Sequence, residues 1–236
     1  ACTDCHSPKL HSDQRINAHT DTVACQTCHI PEVAVHQATK THWDWSTAGD
    51  AEREEHTHEY LKIKGSFVYE KGLKPEFIWY NGLADRYLLG DELQDGITPL
   101  NHPKGDINDP DAKIWPFKVH LAVQPYDAQH NYLMQPVTSG AGGFWNEFDW
   151  DQALRLGSEV TGMDYSGEFA FAPTSMYWPQ SHMVAPKEQA LQCKACHCDR
   201  GCIDWEAIGY PGDPMKWGSR KTAAMQESEQ HAGGAE

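Results

Sequence analysis

The 236-residue chain sets 19 Lys and Arg against 34 Asp and Glu, for a formal charge of -15. That balance argues against nucleic acid or an anionic membrane surface as partner, because both need basic patches. No apolar run approaches the roughly 18 residues of a membrane span, and no signal peptide is recognisable, so the chain is either mature or a piece of something longer. Its mean hydropathy of -0.66, with 19 Gly, 14 Pro and 14 His, leaves limited aliphatic material for a core. Something other than Leu, Ile and Val must fill the interior.

In chain order, residues 1–40 open with CTDCH at 2–6 and continue to CQTCH at 25–29, with His11 and His19 between them. Residues 41–190 contain no cysteine. THWDWSTAG places His42 beside Trp43 and Trp45, where packing or hydrogen bonding is the plainer role. AEREEHTHEY, with His56 and His58, looks like a solvated helix face. PEFIWYNGLADRYLLGD reads as a short strand and turn, or as two turns around aromatics. DINDPDAK at 106–113 is faintly like a calcium loop, but Pro110 interrupts the pattern and no bidentate Glu stands at the right offset, so a plain turn is expected. SGAGG at 139–143 reads as a flexible loop. Asp149 or Asp151 caps a predicted helix through QALRLGSEV, with Leu154, Leu156 and Val160 on or near one face and Gly162 beyond its end. Residues 191–220 carry CKACH at 193–197, and residues 221–236, including His231, are expected to be a disordered polar tail.

Cys2, Cys5, Cys25 and Cys28 alone would suit a zinc ribbon. The residue after each pair decides otherwise, because His6, His29 and His197 follow Cys5, Cys28 and Cys196. In C-x-x-C-H the two thiols match the spacing of the two vinyl groups of a haem, and the next His reaches the iron from the same side. Three covalently attached c-type haems are therefore expected, held by Cys2, Cys5, Cys25, Cys28, Cys193 and Cys196. Such attachment belongs to oxidising compartments, so a periplasmic or extracellular location follows. Cys198 and Cys202 are left over; a disulfide between them is the favoured reading, with free thiols or a ligand role as alternatives.

Eleven histidines remain for at most three distal positions. His11, His19, His120 and His182 flank apolar or aromatic segments and are the better candidates, with His102 and His130 next. Two histidines on one iron leave no position for substrate and favour electron transfer. The expected fold is mainly α and irregular, with haem filling much of the core. No phosphate loop, dinucleotide fingerprint or serine-hydrolase elbow is present.

INAHTDTVACQTCHIP, WDWSTAG, EFIWYNGLADRYLLGD, NHPKGDINDPDAKIWPFKVH, FWNEFDWDQALRLGSEVTGM, MYWPQSHMVAPKEQALQCKACH and DWEAIGYPGDP together resemble the C-terminal half of the octahaem tetrathionate reductase family of multihaem cytochromes. The resemblance runs from residue 1 to about 220. It implies a periplasmic enzyme with eight closely packed haems, related in haem arrangement to hydroxylamine oxidoreductases, that reduces tetrathionate, nitrite and hydroxylamine at a lysine-ligated haem. It carries over the six attachment cysteines and His6, His29 and His197, with His19, His120 and His182 as distal ligands. Three of eight attachment units are here, and the lysine-ligated one is expected upstream of residue 1. A haem anchored at residue 2 also needs protein on both faces.

The resemblance thus implies no catalytic residue on this chain, and another haem-bearing polypeptide, or the remainder of an octahaem protein, as partner. A redox donor protein is a further expected partner, and a homo-oligomer is allowed. The competing class is a dedicated electron carrier or conductive assembly subunit without turnover.

Overall fold

The computed structural model describes residues 2–220, so the expected disordered tail, with His231, lies outside the described residues. Helix α1 spans Gln14–His19 and α2 spans Cys25–His29. Eight strands form one mixed sheet: β1 (Thr39–Asp44), β2 (Tyr60–Leu61), β3 (Gly65–Glu70), β4 (Glu76–Tyr80), β6 (Thr98–Pro99), β8 (Lys113–Asp127), β9 (Tyr132–Leu133) and β10 (Phe169–Pro179). β5 (Ala84–Arg86) and β7 (Asn101–Pro103) make a separate ribbon. Helices α3 (Phe144–Glu147) and α4 (Trp150–Thr161) precede β10, and α5 (Cys193–Cys196) and α6 (Pro214–Trp217) follow it.

The mainly α expectation is overturned. Helix makes up 21% and strand 27%, and the organising element is a mixed sheet. The physical reason is that a C-x-x-C-H unit needs no more than one helical turn, so haem attachment says little about helix content. α2 and α5 are only five and four residues long. Between the units, β-branched and aromatic residues favour a pleated surface. The order β2-β3-β1-β8-β10-β6 is centred on β8, which pairs antiparallel with β10 from Asp127↔Phe169 to Phe117↔Pro179. β4 continues along the other end of β8, from Phe117↔Glu76 to Lys113↔Tyr80.

That end of the sheet carries the main apolar cluster. Phe77, Trp79, Ile107, Ala112, Ile114, Ile203, Ile208 and Tyr210 are buried together, with Val23, Leu191, Cys196, Cys202 and Trp205 against them. Trp79 Nε1 donates to the Ile208 carbonyl at 2.7 Å, fastening the C-terminal run to β4. The core therefore sits beneath the second and third attachment units.

Two local expectations hold. EFIWY is strand β4, followed by a turn. Helix α4 is N-capped by the Asp149 side chain, which accepts from Gln152 N, and ends at left-handed Gly162. Its buried face is Ala153, Leu154 and Gly157, whereas Val160 is 78% exposed. The 106–113 segment is a turn, held by Asp106 accepting from Asn108 N and Asp109 N and by the Arg220 guanidinium on the carbonyls of Ile107 and Ala112.

Asp127 is a fully buried carboxylate at the far end of β8. Burial alone would raise its pKa. The amides of Ser166, His130 and Gln129 and the Ser166 hydroxyl all donate to it, and together they hold it down to about 2. Because the folded pKa lies below the unfolded one, this group's stabilisation is present above about pH 4 and is lost as pH falls towards 2. Acid unfolding followed by circular dichroism should show a loss of about 2 kcal/mol over that window, absent in Asp127→Asn. A second expected outcome concerns α4, where a Cβ on Gly157 would stand 1.8 Å from the Gln135 carbonyl oxygen. Gly157→Ala should lower stability by about 3 kcal/mol in denaturant titration, while Val160→Ala changes it by less than about 0.5 kcal/mol.

Candidate haem-attachment and ligand site

Helix α2 is built onto the start of β8. Ile114 N donates to Thr22 O, Ala24 N and Thr27 Oγ1 both donate to Ile114 O, and Thr27 and Ile30 are buried. From α2 the contacts pass to the third unit. Leu191 N donates to Cys28 O, Ala185 N donates to His29 O, and Leu191 leads directly into α5. The first unit is a single 3-10 turn, closed by His6 N on Cys2 O and mostly exposed.

The three units are neighbours in chain order. The Cys25 thiol is pushed up by burial and then by the Cys2 thiol beside it. The Cys28 thiol is pushed up to about 11, chiefly by burial and then by nearby Cys202, Cys25 and Cys193. All six attachment thiols belong to one-turn segments whose two cysteines sit three residues apart, the geometry that spans the two vinyl groups of one haem.

Two of the following histidines each face a second imidazole. His29 faces His11 with ring centroids 6.3 Å apart and planes 19° from parallel. His197 faces His19 at 6.2 Å and 83°. A ligating nitrogen sits about 2 Å from its metal and about 1 Å from its own ring centroid, so two imidazoles on one metal have centroids about 6 Å apart. Both pairs match that spacing. Burial, then the charges of His11 and His6, lowers the His29 pKa and favours the neutral imidazole that a metal requires.

The outer contacts fit the same role. His197 Nδ1 lies 2.6 Å from Asp213 Oδ1, and His19 Nδ1 lies 2.7 Å from Arg15 O. Each contact fixes the ring and leaves Nε2 for a metal. Asp213 also caps α6 by accepting from Met215 N. Burial alone would raise the Asp213 carboxyl, but the bonds from His197 and Met215 hold it below its ordinary value. Trp205 stacks on the His197 ring at 5.3 Å and donates from Nε1 to Cys196 O. His11 Nδ1 is buried without a hydrogen-bond partner, an orphaned atom of the kind a metal ligand presents. The residues present thus fit covalently attached haem with paired imidazole ligands.

Other candidates stand apart. His120 lies six residues along β8 from Ile114, roughly 20 Å at strand rise, between Lys118, Lys40 and His42; burial first, then those charges, pulls it down to about 4. His182 is exposed, 3.2 Å from Ser181 Oγ, and precedes Met183, whose φ of 65° is left-handed. His102 packs edge-on against Tyr177, and His130 meets Asp127 and stacks on Tyr132. His56 and His58 make no ring contact with another imidazole among the described residues, and the neighbour of His42 is His120. Cys198 and Cys202 do not form the expected disulfide: Cys198 is exposed, and Cys202 folds inward with Sγ 3.7 Å from Cys196 Sγ. No three His, Cys, Asp or Glu side chains among the described residues converge to hold a separate ion, so the four N-terminal cysteines do not assemble as a zinc ribbon.

Asp213 and Trp205 escaped the sequence reading. The signal was available in DWEAIGYPGDP, since the flat ring of Trp205 and the carboxylate of Asp213, eight and sixteen residues beyond His197, are natural outer partners for its imidazole.

No curated protein matches the chain. A crystal structure of an octahaem cytochrome c from Shewanella oneidensis superposes with a TM-score of 0.88 at 51% identity, covering 92% of this chain and 52% of that one. The chain therefore spans about half the length of that protein. The bacterial cytochrome c family model matches residues 40–200, including the third attachment unit. The chain belongs to the bacterial cytochrome c family, whose function is electron transfer by covalently bound haem c.

Proposed function

We propose that the chain is the C-terminal, three-haem portion of a periplasmic octahaem reductase, and that it relays electrons to a catalytic centre carried elsewhere. The centre would lie on the remainder of the octahaem protein or on another haem-bearing polypeptide, and would reduce tetrathionate, nitrite or hydroxylamine. A redox donor protein would supply the electrons. The observation that carries this reading is the pair of imidazole couples, His11 with His29 and His19 with His197.

Bound haem supplies one-electron chemistry, and its potential is set by axial ligands, burial and hydrogen bonds. On this reading Cys2 and Cys5, Cys25 and Cys28, and Cys193 and Cys196 fix three groups through thioethers, with His6, His29 and His197 as proximal ligands. His11 and His19 would supply the second imidazole to the groups held by the second and third units, a ligand set that favours electron transfer over substrate binding. Asp213 accepts from the far nitrogen of His197 and raises its basicity as a ligand. The electrostatic influence of Cys2 on Cys25, and of Cys193 and Cys202 on Cys28, supports a relay ordered as the units occur in the chain.

His6 lies near His29, which His11 already faces, and makes no ring contact of its own with an imidazole among the described residues. Its sixth ligand is proposed to come from the partner polypeptide, which makes this exposed unit the port between them. Exposed His182 is a candidate to reach a haem on that partner in return.

Denatured-chain mass should equal the polypeptide plus three haems. His19→Ala should convert one low-spin haem to high-spin in electron paramagnetic resonance, whereas His120→Ala in the isolated chain should leave the spectrum unchanged. The isolated chain should also take up added imidazole at one haem, the His6 unit, and at no other. Turnover of tetrathionate, nitrite or hydroxylamine is expected from the assembled complex and not from this chain alone. Turnover by the chain alone would defeat the relay, and none by the complex would establish the dedicated carrier.

A further inference from the structure

We propose that the Asp213 carboxylate, acting through His197, holds the third unit at a lower reduction potential than the second, so that electrons enter this chain at its third unit and leave towards its first. The inference rests on the relay reading and deepens it by giving the relay a direction.

The two imidazole couples differ in what stands behind them. At the third unit both rings are held from outside by an acceptor. His197 Nδ1 lies 2.6 Å from Asp213 Oδ1, and His19 Nδ1 lies 2.7 Å from the Arg15 carbonyl oxygen. At the second unit the rings lack such partners. His11 Nδ1 is buried and unbonded, and burial and neighbouring imidazoles, rather than a hydrogen bond, set the state of His29. An imidazole that shares its outer proton with an acceptor donates more strongly to a metal. Stronger donation favours the oxidised state, and so does a fixed negative charge nearby, so both effects push the third potential down.

The charge is placed where it counts. The Asp213 side chain is 14% exposed, so water screens it weakly from His197. The same carboxylate oxygen accepts from Met215 N at the head of α6, which fixes it. Trp205 stacks on the His197 ring with planes 14° apart and restrains the turn of that ring away from Asp213. The opposing effects are weaker. Lys216 bears on Asp213 as a cation, but it is largely exposed and leans on Asp199 at 3.6 Å. Burial raises a potential by disfavouring the more charged oxidised state, yet His29 and His197 are both half-buried. The difference between the units is therefore the carboxylate. The step itself balances simply: one electron passes from the reduced third unit to the oxidised second, no proton moves and no bond breaks, and the redox donor protein reduces the third unit again.

The test uses the haem-loaded protein. The low-spin electron paramagnetic resonance signal lost in His19→Ala marks the third unit, and the one lost in His11→Ala marks the second. Potentiometric titration of the parent at these two signals should place the third midpoint below the second. Asp213→Asn keeps an oxygen for His197 and Met215 and removes the charge. It should raise the third midpoint by about 59 mV or more, the one-electron equivalent of a tenfold change in the ratio of oxidised to reduced forms. The second midpoint and both low-spin signals should stay as they were, a pattern that a merely structural Asp213 would not give. A parent whose third midpoint lies above its second would overturn the inference while leaving the relay ligands standing, and so would an unmoved third midpoint in Asp213→Asn. If His19→Ala and His11→Ala each kept every low-spin signal, the ligand reading would fall and the inference with it.

Discussion

The arrangement depends on the backbone of one residue, Ile114. Its carbonyl accepts from Ala24 N and from Thr27 Oγ1, and its amide donates to Thr22 O. The side chain is fully buried in the cluster beneath the second and third units. One end of the central strand is thereby spent on holding α2 rather than on further pairing with strands. From α2, the carbonyls of Cys28 and His29 receive the amides of Leu191 and Ala185, which carry the chain into α5. The sheet's role is to set the distance between two attachment turns more than 160 positions apart in sequence, a separation no local propensity controls.

The same junction explains why the N-terminal segment is organised despite burying so little. α1 is six residues long, well below the length at which an isolated helix holds in water. Asp13 caps it, Asn17 exchanges two hydrogen bonds with the His11 backbone, and Lys113 at the head of β8 donates to Thr20 O. Leu10 and Ile16 stay exposed, at 53% and 41%. Under the proposed ligation, the iron bonds of His11 and His19 supply what this segment lacks in apolar burial, so binding and ordering become one equilibrium. The low aliphatic content of the chain points the same way: its compact cluster serves the units anchored on the sheet, and ligation serves the rest.

Local signals in the sequence read through to the structure. Asp149 and Gly162 bracket α4 because a cap and a left-handed terminator act within one turn, and EFIWY forms a strand because its aromatic and β-branched side chains suit a pleated surface. The sheet as a whole did not read through, since β1 meets β8 in parallel and β10 closes on it antiparallel, both through long-range register. The attachment units were legible because thiol spacing and the adjacent histidine are a chemical requirement within five residues. The opposing imidazoles were not. His11 finds His29 across 18 positions and His19 finds His197 across 178, so composition around each histidine could not rank them. His120 stands differently: its apolar flanks reflect its place in β8, and it sits among lysines well along the strand from the units of this chain. Cys202 misled by proximity to Cys198, when Gly201 turns it towards Cys196 instead.

Under the proposed ligation, the segment from His6 to His19 serves all three sites at once. His6 follows the first cysteine pair, His11 faces His29 of the second unit, and His19 faces His197 of the third. Because α1 holds His19 and, through Asn17, the His11 backbone, displacement of that short helix changes both opposing ligands together. Axial ligation sets potential, so the second and third sites of the proposed relay are coupled through fourteen residues of chain rather than through the sheet. That coupling has a use in a relay. Sites whose ligands shift together keep their potentials in step, and the step between neighbours governs whether electrons move on or stay. A partner that engages the exposed His6 turn would pull on the same segment, and so would act on all three sites through one short lever.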